Sequence, residues 1–138
     1  MSNSPALVLL LDDVSAIVEE LLTFMELHGI PAVGVSDLDQ AVAALEANSA
    51  IRVLACDVRL GQESGLSIVS RIRENALLSE REFGYLFITG DQLRPDPALP
   101  MPEHLVLTKP VQPQLLISTL NQMLGRISEV SETAGGVR

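Results

Sequence analysis

The chain has 138 residues, a formal net charge of −9, 47% hydrophobic residues and only 3% aromatics. That length fits one domain able to bury about two-thirds of the surface its unfolded chain exposes, and the apolar content excludes a disordered chain. The acidity argues against binding a nucleic-acid backbone, which needs clustered Lys and Arg, and the few aromatics argue against base stacking.

The N-terminus lacks a basic stretch leading into a long apolar segment, and no run approaches the ~20 apolar residues of a membrane span. A soluble, cytoplasmic chain with no membrane insertion is therefore expected. Short apolar runs occur at Ala6–Leu11, Pro31–Val35, Ile51–Cys56, Tyr85–Ile88 and Leu105–Leu107. Segments with helical spacing lie between them. In the first, Val14, Ile17, Val18, Leu21, Leu22, Met25 and Leu27 fall largely on one face, and Gly29 is placed to end the helix. The second opens at Ser36–Asp39 with a capping-box-like start and runs to about Asn48. The third follows Ser64 through Leu66, Ile68, Val69 and Ile72.

Alternation calls for another helix after Tyr85–Ile88. Pro95, Pro97, Pro100 and Pro102 forbid a regular helix of several turns there, so a short turn or irregular loop is expected. The last helix has Pro113 in its first turn, then Leu115, Leu116, Leu120, Met123 and Leu124. The domain is expected to span residues 1–125, with 126–138, polar and containing Gly135-Gly136, as a flexible tail. Cys56 is the sole cysteine, so no internal disulfide can form, and its apolar run marks it as a small buried hydrophobe.

Strands alternating with helices predict an α/β fold: a doubly wound parallel sheet with helices on both faces. Near-continuous apolar strands fit burial on both sides. In such sheets the ligand site lies beyond the carboxyl ends of the strands. Asp12 and Asp13 end the first run and Asp57 ends the third, so three carboxylates converge at that edge. Two such groups ~4 Å apart repel by roughly 4 kcal/mol at an effective dielectric of about 20. The cluster therefore calls for a cation or a proton, and a hard divalent ion such as Mg²⁺ suits an all-oxygen donor set. Either member of the Asp pair could instead cap the following helix, a common task for aspartate. Thr89-Gly90 follows the fourth run and Lys109-Pro110 the fifth. Ordinary turn chemistry accounts for the first in isolation, but a cation at Lys109 would face the acids.

The order Asp-Asp, Asp, Thr-Gly, Lys-Pro at successive strand ends resembles the response-regulator receiver domain of two-component signalling, over residues 5 to 125. Leu60 and Gly65, after Asp57, match an aliphatic and a glycine the family favours. The resemblance implies five strands in the order 2-1-3-4-5. It implies that Asp57 takes a phosphoryl group from a histidine kinase, a histidine phosphotransfer protein or a small phosphodonor. Asp12, Asp13, Asp57 and the carbonyl of Arg59 would bind Mg²⁺, Thr89 and Lys109 would contact phosphoryl oxygens, and Lys109–Pro110 would be cis. The expected function is a stand-alone receiver, self-catalysing its phosphorylation and dephosphorylation, that signals by binding a downstream protein and is compatible with a homodimer. The alternatives are a degenerate receiver acting as a phosphorylation-independent interaction module and a Mg²⁺-dependent aspartyl-phosphate hydrolase. Arg59 stands where a hydrolase of that kind wants a second acid.

This chain departs from the family in three places. Gly61 stands where Pro is frequent, which predicts a looser loop; Val14 replaces a further acid; and Val106 replaces an aromatic switch residue. Arg59 and Asp91 flank the site and are candidates to tune dephosphorylation, or to pair. His28 is expected to interact with a helix C-terminus, and His104 to lie on the surface at a strand start.

Overall fold

The computed structural model describes residues 5–90 and 101–132, with side chains through residue 125. Among them five parallel strands form one sheet: β1 (Val8–Leu11), β2 (Ala32–Val35), β3 (Val53–Asp57), β4 (Gly84–Thr89) and β5 (His104–Thr108). Their order is β2-β1-β3-β4-β5, as the resemblance implies. The helices are α1 (Ser15–Leu27), α2 (Leu38–Ala47), α3 (Ile68–Arg73), which a 3₁₀ turn at Gly65–Ser67 precedes, and α4 (Pro113–Glu132).

The side-chain alternation of each strand divides the core into two layers. Leu9, Leu11, Leu54, Cys56, Tyr85 and Phe87 meet Leu38, Ala41 and Leu45 of α2 and Ile68, Val69 and Ile72 of α3. On the other face Val8, Leu10, Val53, Ala55, Leu86 and Ile88 meet Leu21 and Met25 of α1 and Leu116, Ile117, Leu120 and Met123 of α4. The inner strands are apolar at every core position because neither face meets water. Cys56 is fully buried, and burial pushes its thiol far above the ordinary range.

Local signals explain most boundaries. Gly29, at φ 76°, ends α1 in a Schellman arrangement: Ile30 N–H donates to Met25 O and Gly29 N–H to Glu26 O. The cap of α2 sits one residue later than expected. Asp37 rather than Ser36 is the N-cap, accepting from Gln40 N–H at 2.8 Å, while Gln40 Oε1 reaches back to Ser36 N–H at 3.0 Å. Leu27 does not join the buried face of α1; it is 76% exposed, because two residues beyond Met25 is about 200° around the helix, on the side away from the sheet. His28 does meet its helix end, donating from Nδ1 to Phe24 O at 2.9 Å. His104 is half-buried rather than a plain surface residue: its ring packs edge-on against Phe87, 5.5 Å between centroids.

Residues 91–100, which hold most of the proline-rich connection and Asp91, lie outside the described residues, so the irregular fourth helix and the Arg59–Asp91 pair are not described. Helix α4 continues to Glu132, into the 126–138 stretch expected as a tail. No helix among the described residues is long and apolar enough to cross a membrane.

Candidate functional site

Register brings the acids together. Leu11 pairs with Cys56, so the residues that follow, Asp12 and Asp57, leave adjacent strands side by side. Oxygen atoms of Asp12, Asp13 and Asp57 all lie within 4.8 Å of one another. Asp12 and Asp57 are buried, whereas Asp13 is exposed. Neither Asp12 nor Asp13 caps α1, whose N-cap is Val14, without a side-chain bond; Asp12 Oδ1 instead accepts from Val14 N–H at 2.9 Å. Burial raises the Asp12 carboxyl above its ordinary value. Asp57 and Asp13 push it the same way, while the Val14 N–H and Lys109 oppose them.

The strand pairs on the other side deliver the remaining groups. Thr89 is the last residue of β4, is buried and lies opposite Thr108; Lys109 N–H donates to Thr89 O at 2.9 Å. This bond brings Lys109 back over the edge, where Nζ meets Asp57 Oδ2 at 3.0 Å. The Lys109–Pro110 peptide is cis, as the resemblance implies. Asp57 Oδ1 accepts from Arg59 N–H at 3.3 Å, so both carboxylate oxygens have partners.

The loop after Asp57 folds back on itself as a hairpin. Arg59–Leu60 and Glu63–Ser64 pair antiparallel across Gly61 and Gln62. Gly61 has φ 60°, a conformation proline's ring forbids. Gly65 N–H then donates to Val58 O at 2.7 Å, and a Cβ on Gly65 would overlap the Asp57 carbonyl oxygen. Arg81 carries no chemistry in the sequence reading, yet its guanidinium donates to the carbonyls of Leu45, Asn48 and Ile51 at 2.6, 3.1 and 3.0 Å and lies over the Phe83 ring. No local signal marks it, since those acceptors are 30 to 36 residues away.

A donor set of clustered carboxylate oxygens suits a hard divalent cation, and a neighbouring ammonium suits an anion on Asp57. Comparisons with known proteins give the family. The response regulator receiver domain family matches residues 8–121. The chain therefore belongs to the receiver domains of two-component response regulators. It is 29% identical over 124 residues to the two-component response regulator PprB of Pseudomonas aeruginosa, covering 88% of this chain but 45% of that one, so it spans less than half of that relative. A response regulator receiver protein from Pseudomonas putida superposes with a TM-score of 0.68 at 26% identity, over 88% of this chain and 99% of that one. The receiver domain protein from Methanospirillum hungatei shares the fold, with a TM-score of 0.73 at 16% identity, over 91% and 98% of the two chains.

Proposed function

We propose that the domain accepts a phosphoryl group on Asp57 in a Mg²⁺-dependent reaction, from a histidine kinase or histidine phosphotransfer protein in the cytoplasm, and signals by binding a further protein. The observation that carries this reading is Asp57 held between Lys109 Nζ at 3.0 Å and the two neighbouring aspartates. An Asp57 carboxylate oxygen attacks the phosphorus atom. The new P–O bond forms as the P–N bond of the phosphohistidine breaks, and the imidazole leaves with that bond's electron pair. Lys109 moves its ammonium from the carboxylate to a phosphoryl oxygen, keeping a charge-assisted bond throughout. The Thr89 hydroxyl, at the neighbouring strand end, donates to another phosphoryl oxygen. Asp12, Asp13, Asp57 and the Arg59 carbonyl are the ligands for Mg²⁺, which when bound supplies positive charge that offsets the carboxylates and the phosphoryl oxygens.

The pairing of Asp57 with Lys109 supports an active receiver over a degenerate one. Incubation with acetyl phosphate and Mg²⁺ followed by intact mass spectrometry tests the reading. One phosphoryl adduct is expected on the wild type and none on Asp57→Ala; an unmodified wild type would overturn it.

A further inference from the structure

Charge is unevenly divided along this chain. Residues 1–51 hold eight of the eighteen acids and none of the nine Lys and Arg residues, so they carry −8 of the net −9; ten acids and nine bases remain in the rest. Part of that charge is engaged. Asp12 and Asp13 join Asp57 at the sheet edge, Asp39 pairs with Arg71 at 2.8 Å, and Glu46 accepts from Asn75 at 2.8 Å. Helix α1 holds charge that is not engaged. Glu19, Glu20 and Glu26 are exposed, and their carboxylates form no ion pair among the described residues.

Helix formation does not ask for these acids. Helix α1 has no Lys or Arg to pair with them at i,i+4, and Glu26 stands in the last turn, where the helix dipole favours a cation. The same helix start and helix show apolar groups to solvent: Val14 is 45% exposed, Ile17 36% and Leu27 76%. At 100° per residue Ile17, Glu20 and Leu27 fall within about 80° of one another around the axis, and Glu19 and Glu26 line the adjoining flank. Residues that break local rules with no gain in packing mark sites of function. Position sharpens the point. Val14 precedes α1 at the edge that carries Asp57, and its N–H is bonded to Asp12 there. From that edge the 13 residues of α1 run ~20 Å. A protein that brings a phosphohistidine to Asp57 lays its neighbouring surface over this start, and a helix lying along α1 then meets the three glutamates.

We propose that the phosphoryl donor of this chain is selected by charge: it lays a basic amphipathic helix along α1, with apolar side chains on Val14, Ile17 and Leu27 and Lys or Arg facing Glu19, Glu20 and Glu26. This rests on Asp57 being the phosphoryl acceptor. Charge complementarity decides among the occupants. A second copy would set three more carboxylates against the same three, and an anionic lipid surface would be repelled. A basic helix offsets the acids, covers the exposed apolar groups and is drawn toward the site before contact.

The test uses two synthetic amphipathic helical peptides that carry phosphohistidine, alike except that one has Lys and the other Glu at its charged positions. Transfer to the chain in the presence of Mg²⁺ is followed by intact mass spectrometry. At low ionic strength the Lys peptide should react about tenfold faster, within the usual range of electrostatic steering. The ratio should approach one in about 1 M NaCl, where the screening length is ~3 Å. Glu19→Gln, Glu20→Gln and Glu26→Gln combined should bring the two rates together, and the corresponding triple change to Lys should reverse their order. Each result is a ratio within one protein, so a loss of folded fraction cancels. Glu74, Glu80 and Glu82 are exposed and precede β4 at the opposite edge of the sheet. Changing those three to Lys alters the net charge equally and should keep the wild-type order. Equal rates on the wild type, an order that follows net charge wherever the acids lie, or no transfer from either peptide to a chain that acetyl phosphate modifies would overturn the proposal. So would a wild-type dimer, seen by sedimentation, that the triple Gln change dissociates, since the face would then belong to a second copy. A chain unreactive toward acetyl phosphate as well would instead sink the acceptor role of Asp57.

Discussion

Lys109 Nζ lies 3.0 Å from Asp57 Oδ2, across 52 residues of sequence, and the bond between Lys109 N–H and the Thr89 carbonyl puts it there. The end of β5 is thereby bound to the end of β4, which is paired with the end of β3. Lys109→Met keeps the stem and removes the charge. Phosphorylation by acetyl phosphate should slow by about 10²-fold, the usual loss when one charge-stabilising donor is removed. The adduct mass and the circular dichroism spectrum should be unchanged.

The raised Asp12 carboxyl has a definite consequence for stability. The folded protein binds this proton more tightly than the unfolded chain does, so its contribution is fully present below the unfolded value near 3.8 and is lost as pH rises through the folded value. Asp12→Asn keeps an oxygen to accept from Val14 N–H and has no charge to bury. In Mg²⁺-free buffer the variant should be more stable than wild type at pH 7. That advantage should shrink as pH is lowered toward 4, as read from urea midpoints at each pH.

Magnesium should reverse that order. An ion that binds only the folded acid cluster raises stability by about 2.7 kcal/mol at a hundredfold excess over its dissociation constant. Thermal melts of wild type should rise with MgCl₂ and fall back on adding a chelator. Asp13→Ala, at an exposed position of the acid cluster, should melt at nearly the same temperature with and without the ion.

Gly65→Ala should be costly in both stability and chemistry. Its Cβ meets backbone, the Asp57 carbonyl, rather than the end of a side chain that could swing away. A loss of about 3 kcal/mol is expected from urea denaturation. The rate of adduct formation should fall with it, since the main chain that must shift carries the proposed acceptor.

Arg81 offers the opposite separation. It satisfies carbonyls around the C-terminal end of α2 and the start of β3, at the end of the sheet away from Asp57. Arg81→Ala should cost about 2 kcal/mol, and Arg81→Lys should recover little because a point charge cannot serve three acceptors as the planar fork does. The rate of reaction with acetyl phosphate should be unchanged.

The strands, helices and the edge where Asp12, Asp13, Asp57, Thr89 and Lys109 gather are legible in the chain because each rests on a local cause. Apolar runs of strand length need burial on both faces, helical spacing covers them, and polar residues at the run ends must then share the carboxyl edge. The order in which those groups occur along the chain is enough to suggest the family. Contacts between groups far apart in sequence depend on register and backbone conformation, which composition and spacing do not set. Only the folded chain decided that Asp12 bonds Val14 N–H instead of capping α1, and that Arg81 ties together carbonyls 30 to 36 residues away. The same holds for Gly61. As a sequence symbol it reads as freedom, whereas in the structure the pairing of Arg59 with Ser64 selects the one turn that glycine alone adopts at low cost.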